Sequence, residues 1–169
     1  MKIGIISDTH DQVERAEQAA EIFSKEAVDK IYHLGDWSSP FMLGIFKNLS
    51  CQILSIFGNN DADIFKLVKN KPDNLEFKDR FFVETISDKK ICLFHGDPQE
   101  LVNAIFDSKR YDVVLRGHNH EAEIKRNGKT TLINPGSLIG PTNANPQWTP
   151  ASIAIYNLAN EDVKQIEIQ

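Results

Sequence analysis

The chain has 169 residues, 41% of them hydrophobic and 25% charged, with a formal net charge of −5. That is enough apolar material for one core, so a single domain over residues 1–169 is expected, and the acidic balance argues against a basic grip on nucleic acid or a polybasic membrane anchor. No apolar run approaches the roughly 18 residues of a membrane span, and Cys51 and Cys92 lie in apolar runs without metal-site or secretory spacing, as buried reduced thiols do.

In chain order, residues 3–7 form a short continuous apolar run and read as a strand buried on both faces. The strand begins almost at Met1, without the apolar region and cleavage site of a signal peptide, and a soluble cytoplasmic protein is expected. Val13, Ala16, Ala20 and Phe23 recur at helical spacing and predict a helix over 13–26. A strand at 31–34, a helix-like stretch at 40–49 and a strand at 52–57 continue the alternation, followed by a short helical or irregular piece at 64–69. The pattern then turns to strands, with 81–86 and 90–94 as a hairpin across 87–89. A helix is predicted over 99–108 and a buried strand at 112–115. A second hairpin joins 121–126 to 129–133 through Asn127-Gly128, and strands at 151–156 and 163–168 close the chain. Residues 140–149, rich in Pro and Asn, read as a long exposed loop. The sum predicts an α/β protein, a two-sheet mixed β-sandwich flanked by helices.

Four of the five histidines fall in short polar clusters that follow these strands. The clusters are Asp8-Thr9-His10, Gly35-Asp36, Gly58-Asn59-Asn60-Asp61, His95-Gly96 and Gly117-His118-Asn119-His120. Strand C-termini are where an α/β sheet exposes side chains to a ligand. The one-residue spacing in Asp8-Thr9-His10 lets both ligating groups leave one side of an extended loop, and Gly117 permits a tight turn that presents two imidazoles. Buried Asp, Asn and His need partners, and a cation satisfies them together. Mixed nitrogen and oxygen donors suit Mn2+, Ni2+, Fe2+, Co2+ or Zn2+ better than Mg2+ or Ca2+, and donor chemistry does not choose among the five.

The ordered set DxH, GD, GNND, HG and GHxH, followed by Asn134-Pro135-Gly136-Ser137, resembles the calcineurin-like metallophosphoesterase superfamily over residues 2–137. Its short, uninterrupted form is similar to the small YfcE-type phosphodiesterases. The resemblance implies a four-layer αββα fold and a dinuclear centre. One ion would take Asp8, His10, Asp36 and His120, and the other Asp36, Asn59, His95 and His118. Asp36 would then bridge the two, with Asp36, Asn59 and His95 counted as catalytic. The implied activity is metal-dependent hydrolysis of phosphodiesters, and of activated phosphomonoesters, by a hydroxide bridging the metals. Partners reduce to a small phosphate ester, with nucleic acid entering only as a substrate, and homo-oligomerisation stays open. The runner-up is a non-catalytic interaction scaffold like the retromer subunit Vps29, which resembles the same small fold; the complete ligand set favours hydrolysis. A structural metal domain is disfavoured because such sites are usually rich in Cys.

Other residues carry two readings each. Where many superfamily members have a leaving-group acid, this chain has Asn60, whose amide cannot protonate an alkoxide, so slow turnover of alkyl esters is expected. His33 reads as a core histidine, with a substitute proton donor as the alternative. Asp61 reads as a cap of the following helix rather than as an organiser of the Asn59-Asn60 turn. Trp37, Phe41 and Trp148 read as packing or as an aromatic pocket rim, and Arg116 as a salt-bridge partner or a phosphate contact. Asn134 to Ser137 reads as a tight supporting loop, with positive φ expected at Gly136.

Overall fold

In the computed structural model, which describes residues 1–169, the apolar runs assemble into two mixed sheets. The first contains β1 (Lys2–Ile6), β2 (Lys30–His33), β3 (Gln52–Ser55), β4 (Leu75–Phe77), β10 (Ser152–Asn157) and β11 (Asp162–Glu167), in the order β11-β10-β1-β2-β3-β4. Strands β1 to β4 run parallel, and β10 and β11 join antiparallel. The second contains β5 (Phe81–Ile86), β6 (Lys89–Phe94), β7 (Val113–Leu115), β8 (Glu123–Asn127) and β9 (Thr130–Asn134), in the order β5-β6-β7-β9-β8.

Side-chain alternation decides how the sheets stack. Ile3 and Ile5 of β1, with Tyr32 and Leu54, face Ile91, Leu93, Val113, Leu115 and Ile133 of the second sheet and form the inner core. On the outer face of the first sheet, Ile6, Ile31 and Ile53 pack against Ala16, Ala19, Ala20 and Phe23 of helix α1 (Val13–Lys25), against Met42 and Phe46 of a 3-10 helix (Pro40–Phe46), and against Leu67 of α2 (Ile64–Lys69). On the outer face of the second sheet, Cys92, Phe94, Val114 and Leu132 meet Val102 of α3 (Gln99–Asp107). Three apolar layers between four structural layers give the αββα arrangement.

Four details differ from the sequence reading. The stretch expected as helix over 40–49 is 3-10 and stops at Phe46, where Pro40 favours the start and Gly44 weakens continuation. Strand β4 was not anticipated, since three residues are too few to show a period. The second hairpin turns on Gly128-Lys129 rather than Asn127-Gly128, because Asn127 pairs with Thr130. Both cysteines are free, but Cys51 is only half-buried, whereas Cys92 is buried and its thiol is pushed up to about 12 by burial. No helix is long and apolar enough to cross a membrane.

Parallel pairing has one consequence for function. Strands β1, β2 and β3 end side by side, as do β6, β7 and β9, so the loops after Ile6, His33, Ser55, Phe94 and Leu115 converge at one end of the sandwich.

Candidate metal centre

Those loops bring all seven expected ligands together in an unbroken chain of contacts. His120 Nε2 lies 3.4 Å from Asp8 Oδ1, and His10 Nε2 lies 3.7 Å from the same oxygen. His10 Nε2 is also 3.4 Å from Asp36 Oδ2, which is 3.5 Å from His95 Nε2. Asn59 Oδ1 then stands 2.9 Å from both His95 Nε2 and His118 Nδ1. Two groups have donor atoms close enough to share an ion, namely Asp8, His10 and His120, and Asp8, Asp36 and His95. The second group combines Asp8 with His95, which the family resemblance assigns to different ions.

The backbone that presents these groups is unusual. Asp8, His10, Asp36, His118 and His120 all adopt positive φ, between 41° and 76°, a region most side chains avoid and Asp, Asn and His tolerate best. Gly117 is required for a different reason, since a Cβ there would sit 1.9 Å from Ser7 Oγ and 2.5 Å from Asp8 Oδ2.

Hydrogen bonds outside the ligand set fix its orientation. Ser7 Oγ and the His118 N–H both donate to Asp8 Oδ2, at 2.5 and 3.0 Å, which leaves Oδ1 free. Asn60 donates to Asp36 through its N–H and its Nδ2, each at 2.8 Å. His95 Nδ1 donates to the Leu34 carbonyl at 2.7 Å, and His10 Nδ1 pairs with Ser38 Oγ at 3.2 Å, so each ring turns its Nε2 toward the carboxylates. Asp61 is not a helix cap. It is buried and accepts the N–H groups of Asp36, Trp37, Ser38 and Gly58 at 2.8–3.2 Å, tying two ligand loops together, while Asp63 caps α2. The Asn134 loop behaves as expected: Asn134 Nδ2 donates to Asn119 Oδ1 at 2.7 Å, Leu138 N–H donates to the Asp8 carbonyl, and Gly136 has φ +85°.

The donor set fits a cation. Asp8 Oδ1 and His10 Nε2 are buried and have no hydrogen-bond partner, a costly condition that a metal ion between them would relieve. The electrostatics agree. Burial alone would raise the Asp8 carboxyl, but the neighbouring imidazoles of His10, His120 and His95 and the Ser7 hydroxyl overcome it and hold the group far below the carboxylate range. Asp36 is lowered against burial by His95 and Asn60. Burial would lower His95, yet Asp36 and the charge of Asp8 raise it to about 9. The cluster concentrates negative charge and retains protons on histidine to balance it.

The remaining candidates divide. His33 is fully buried, stacks on Trp37 with ring centroids 3.6 Å apart, and is pushed down to about 3 by burial, so it belongs to the core. Trp37 is also fully buried, with its indole N–H on Ser55 Oγ at 2.8 Å, and forms no rim. Phe41 is 60% exposed, and Trp148 lies against His120 with centroids 4.2 Å apart. Arg116 is buried and bonds Glu123 at 3.3 Å and Gln99 at 3.0 Å. Sequence reasoning did not find Ser7, which binds the adjacent Asp8, or Ser38, whose pairing with His10 is set only by loop geometry.

Comparison with known proteins gives a consistent pattern. A family model described as the calcineurin-like phosphoesterase superfamily domain matches residues 1–161. Phosphodiesterase MJ0936 of Methanocaldococcus jannaschii is 34% identical over 171 residues, covering 100% of both chains. A solved archaeal phosphodiesterase superposes with a TM-score of 0.88 at 34% identity, over 98% of this chain and 99% of that one. Vps29 of Entamoeba histolytica, solved with Zn2+, shares the fold at 19% identity with a TM-score of 0.65, over 98% and 97% of the two chains.

Proposed function

The chain belongs to the calcineurin-like phosphoesterase superfamily, and from that premise we propose that it is a phosphodiesterase working through two divalent cations, Mn2+ first among them. The observation that carries this reading is the position of Asp36 Oδ2, 3.4 Å from His10 Nε2 and 3.5 Å from His95 Nε2. A carboxylate between two imidazoles suits a bridging ligand in a two-metal site. Asp8, His10, Asp36 and His120 would hold one ion, and Asp36, Asn59, His95 and His118 the other. When bound, the cations would polarise phosphoryl oxygens and lower the pKa of water from about 15.7 toward neutrality.

The rest of the chemistry belongs to the protein. Ser7 and the His118 N–H engage one oxygen of Asp8 and reserve the other for a ligand. The Leu34 carbonyl accepts from His95 Nδ1 and turns Nε2 toward Asp36 and Asn59, where it would face a bound cation once its proton is displaced. Asn60 clamps the shared carboxylate and has no acidic proton to give. A general acid is worth about 10²–10⁴-fold, so substrates whose leaving groups depart unaided are favoured: aryl diesters, and activated aryl monoesters, over alkyl esters. Water enters, one P–O ester bond breaks, and a diester leaves as a monoester and an alcohol or phenol. We read the chain as one domain in a reducing, cytoplasmic setting, consistent with its two free thiols.

A Vps29-like scaffold is the second reading, and metal binding does not separate the two, because a Vps29 has itself been solved with Zn2+. Turnover does. Aryl and alkyl mono- and diesters should be assayed against each of the five metals, beside Asp36→Asn. The expected result is fastest hydrolysis of aryl diesters with Mn2+ and a loss of at least about 100-fold in the variant, the scale of removing a group that stabilises transition-state charge. A fully metal-loaded protein that hydrolyses none of them supports the scaffold.

A further inference from the structure

Metal-binding histidines usually donate their second ring nitrogen to a neighbour that fixes the ring. Here His10 uses Ser38 and His95 uses Leu34, but His120 Nδ1 is buried with no hydrogen-bond partner in a residue only 7% exposed. What stands against that ring instead is the indole of Trp148, centroid to centroid 4.2 Å and tilted by 50°. The next residue ties the same two segments together: Thr149 Oγ1 donates to the His120 carbonyl at 3.2 Å and accepts the Ala122 N–H at 2.9 Å. The loop that carries both is held at its other end by Arg15, whose guanidinium donates to the carbonyls of Leu138, at 2.8 Å, and Ile139. Within the loop, Thr142 and Asn145 bond each other and Trp148 N–H donates to the Asn145 carbonyl at 3.3 Å.

We infer that Trp148 is a positioning residue for the metal centre, its indole face setting the orientation of His120 in place of the missing hydrogen bond. The inference rests on the two-cation reading above. It gives the 140–149 loop a task, which is to hold a tryptophan against one imidazole, and it makes the loop part of the ion site that contains Asp8 and His10. Substrate stacking on Trp148 is the competing role.

The test is a titration with Mn2+ alone, following the free-ion EPR signal, on wild type, Trp148→Ala, Trp148→Leu and Trp148→Phe, with thermal unfolding of the metal-free proteins as a control for folding. Trp148→Ala is expected to weaken one of the two Mn2+ equivalents by about 10- to 100-fold, the range seen when an orienting partner of a ligand is removed. Trp148→Phe should recover most of the affinity, and KM measured at saturating Mn2+ should not change. Trp148→Leu keeps apolar bulk without an aromatic face and serves as the test if the alanine variant does not fold. Unaltered Mn2+ affinity in a folded alanine or leucine variant overturns the inference alone. A raised KM with unaltered Mn2+ affinity also overturns it, in favour of substrate stacking. Failure of the wild type to bind Mn2+ overturns both this inference and the two-cation reading.

Discussion

Asp61 carries the largest structural task of any single residue at the site, accepting four backbone N–H groups from two loops. Asp61→Ala would strand those donors, and hydrogen bonds to charged groups are worth about 1.5–3 kcal/mol each. A loss of at least about 3 kcal/mol in urea unfolding is expected, together with weakened metal binding. His95 sets a pH dependence. Its folded pKa of about 9 lies above the ordinary 6.5, so in the metal-free protein its pairing with the carboxylates stabilises the fold below pH 6.5 and fades as pH rises through 9. A metal must displace that proton, and affinity should climb about tenfold per pH unit between 7 and 9, measured by titration at fixed ionic strength. His33 acts in the opposite sense. With a folded value near 3, it costs stability as pH falls below 6.5, at up to about 1.4 kcal/mol per pH unit, and His33→Gln should flatten that slope above pH 4.5. The candidate ligands were legible as a group because each follows a strand end, and the fold brings them together. The tasks of Asp61 and Asn60 were not, since the Asp36, Trp37 and Ser38 groups they bind lie 23 to 25 residues away and only the folded loops bring them together.

At the scale of elements, apolar periodicity was a reliable guide where runs were long. Val13, Ala16, Ala20 and Phe23 read as one face of a helix, and α1 buries Ala16, Ala20 and Phe23 on the first sheet. Phe23 is wholly enclosed, so Phe23→Ala should cost about 3–5 kcal/mol by unfolding, with kcat at saturating metal nearly unchanged because no ligand lies on α1. Val13 escaped the pattern and remains 39% exposed at the helix start. Short elements failed for physical reasons. In β4, Leu75 is buried while Glu76 is exposed, and three residues cannot display an alternation that distinguishes a strand from a loop. Between Pro40 and Phe46, apolar residues at helical spacing could not reveal which helix forms, because the choice rests on hydrogen-bond register.

The whole molecule explains why the proposed centre would exist only in the folded state. Its candidate ligands run from Asp8 to His120 and follow strands of both sheets, so no segment of the unfolded chain holds more than two of the seven near each other. Metal should therefore bind the folded form selectively and stabilise it. At a free concentration 100 times Kd, each ion adds about 2.7 kcal/mol, and chelation should lower Tm by roughly 5–10 °C per site for a protein of this size. The layered architecture was legible as alternation of strand and helix followed by hairpins, whereas the pairing of β1 with β10, across most of the chain, was not, because sequence periodicity carries no information about strand partners. Whether hydrolysis needs two ions sharing Asp36 is read by counting Mn2+ bound per chain while following cleavage of an aryl phosphodiester. Activity is expected to develop with the second equivalent of Mn2+. Activity that saturates at one ion, or two bound ions with no hydrolysis, would contradict the two-cation reading.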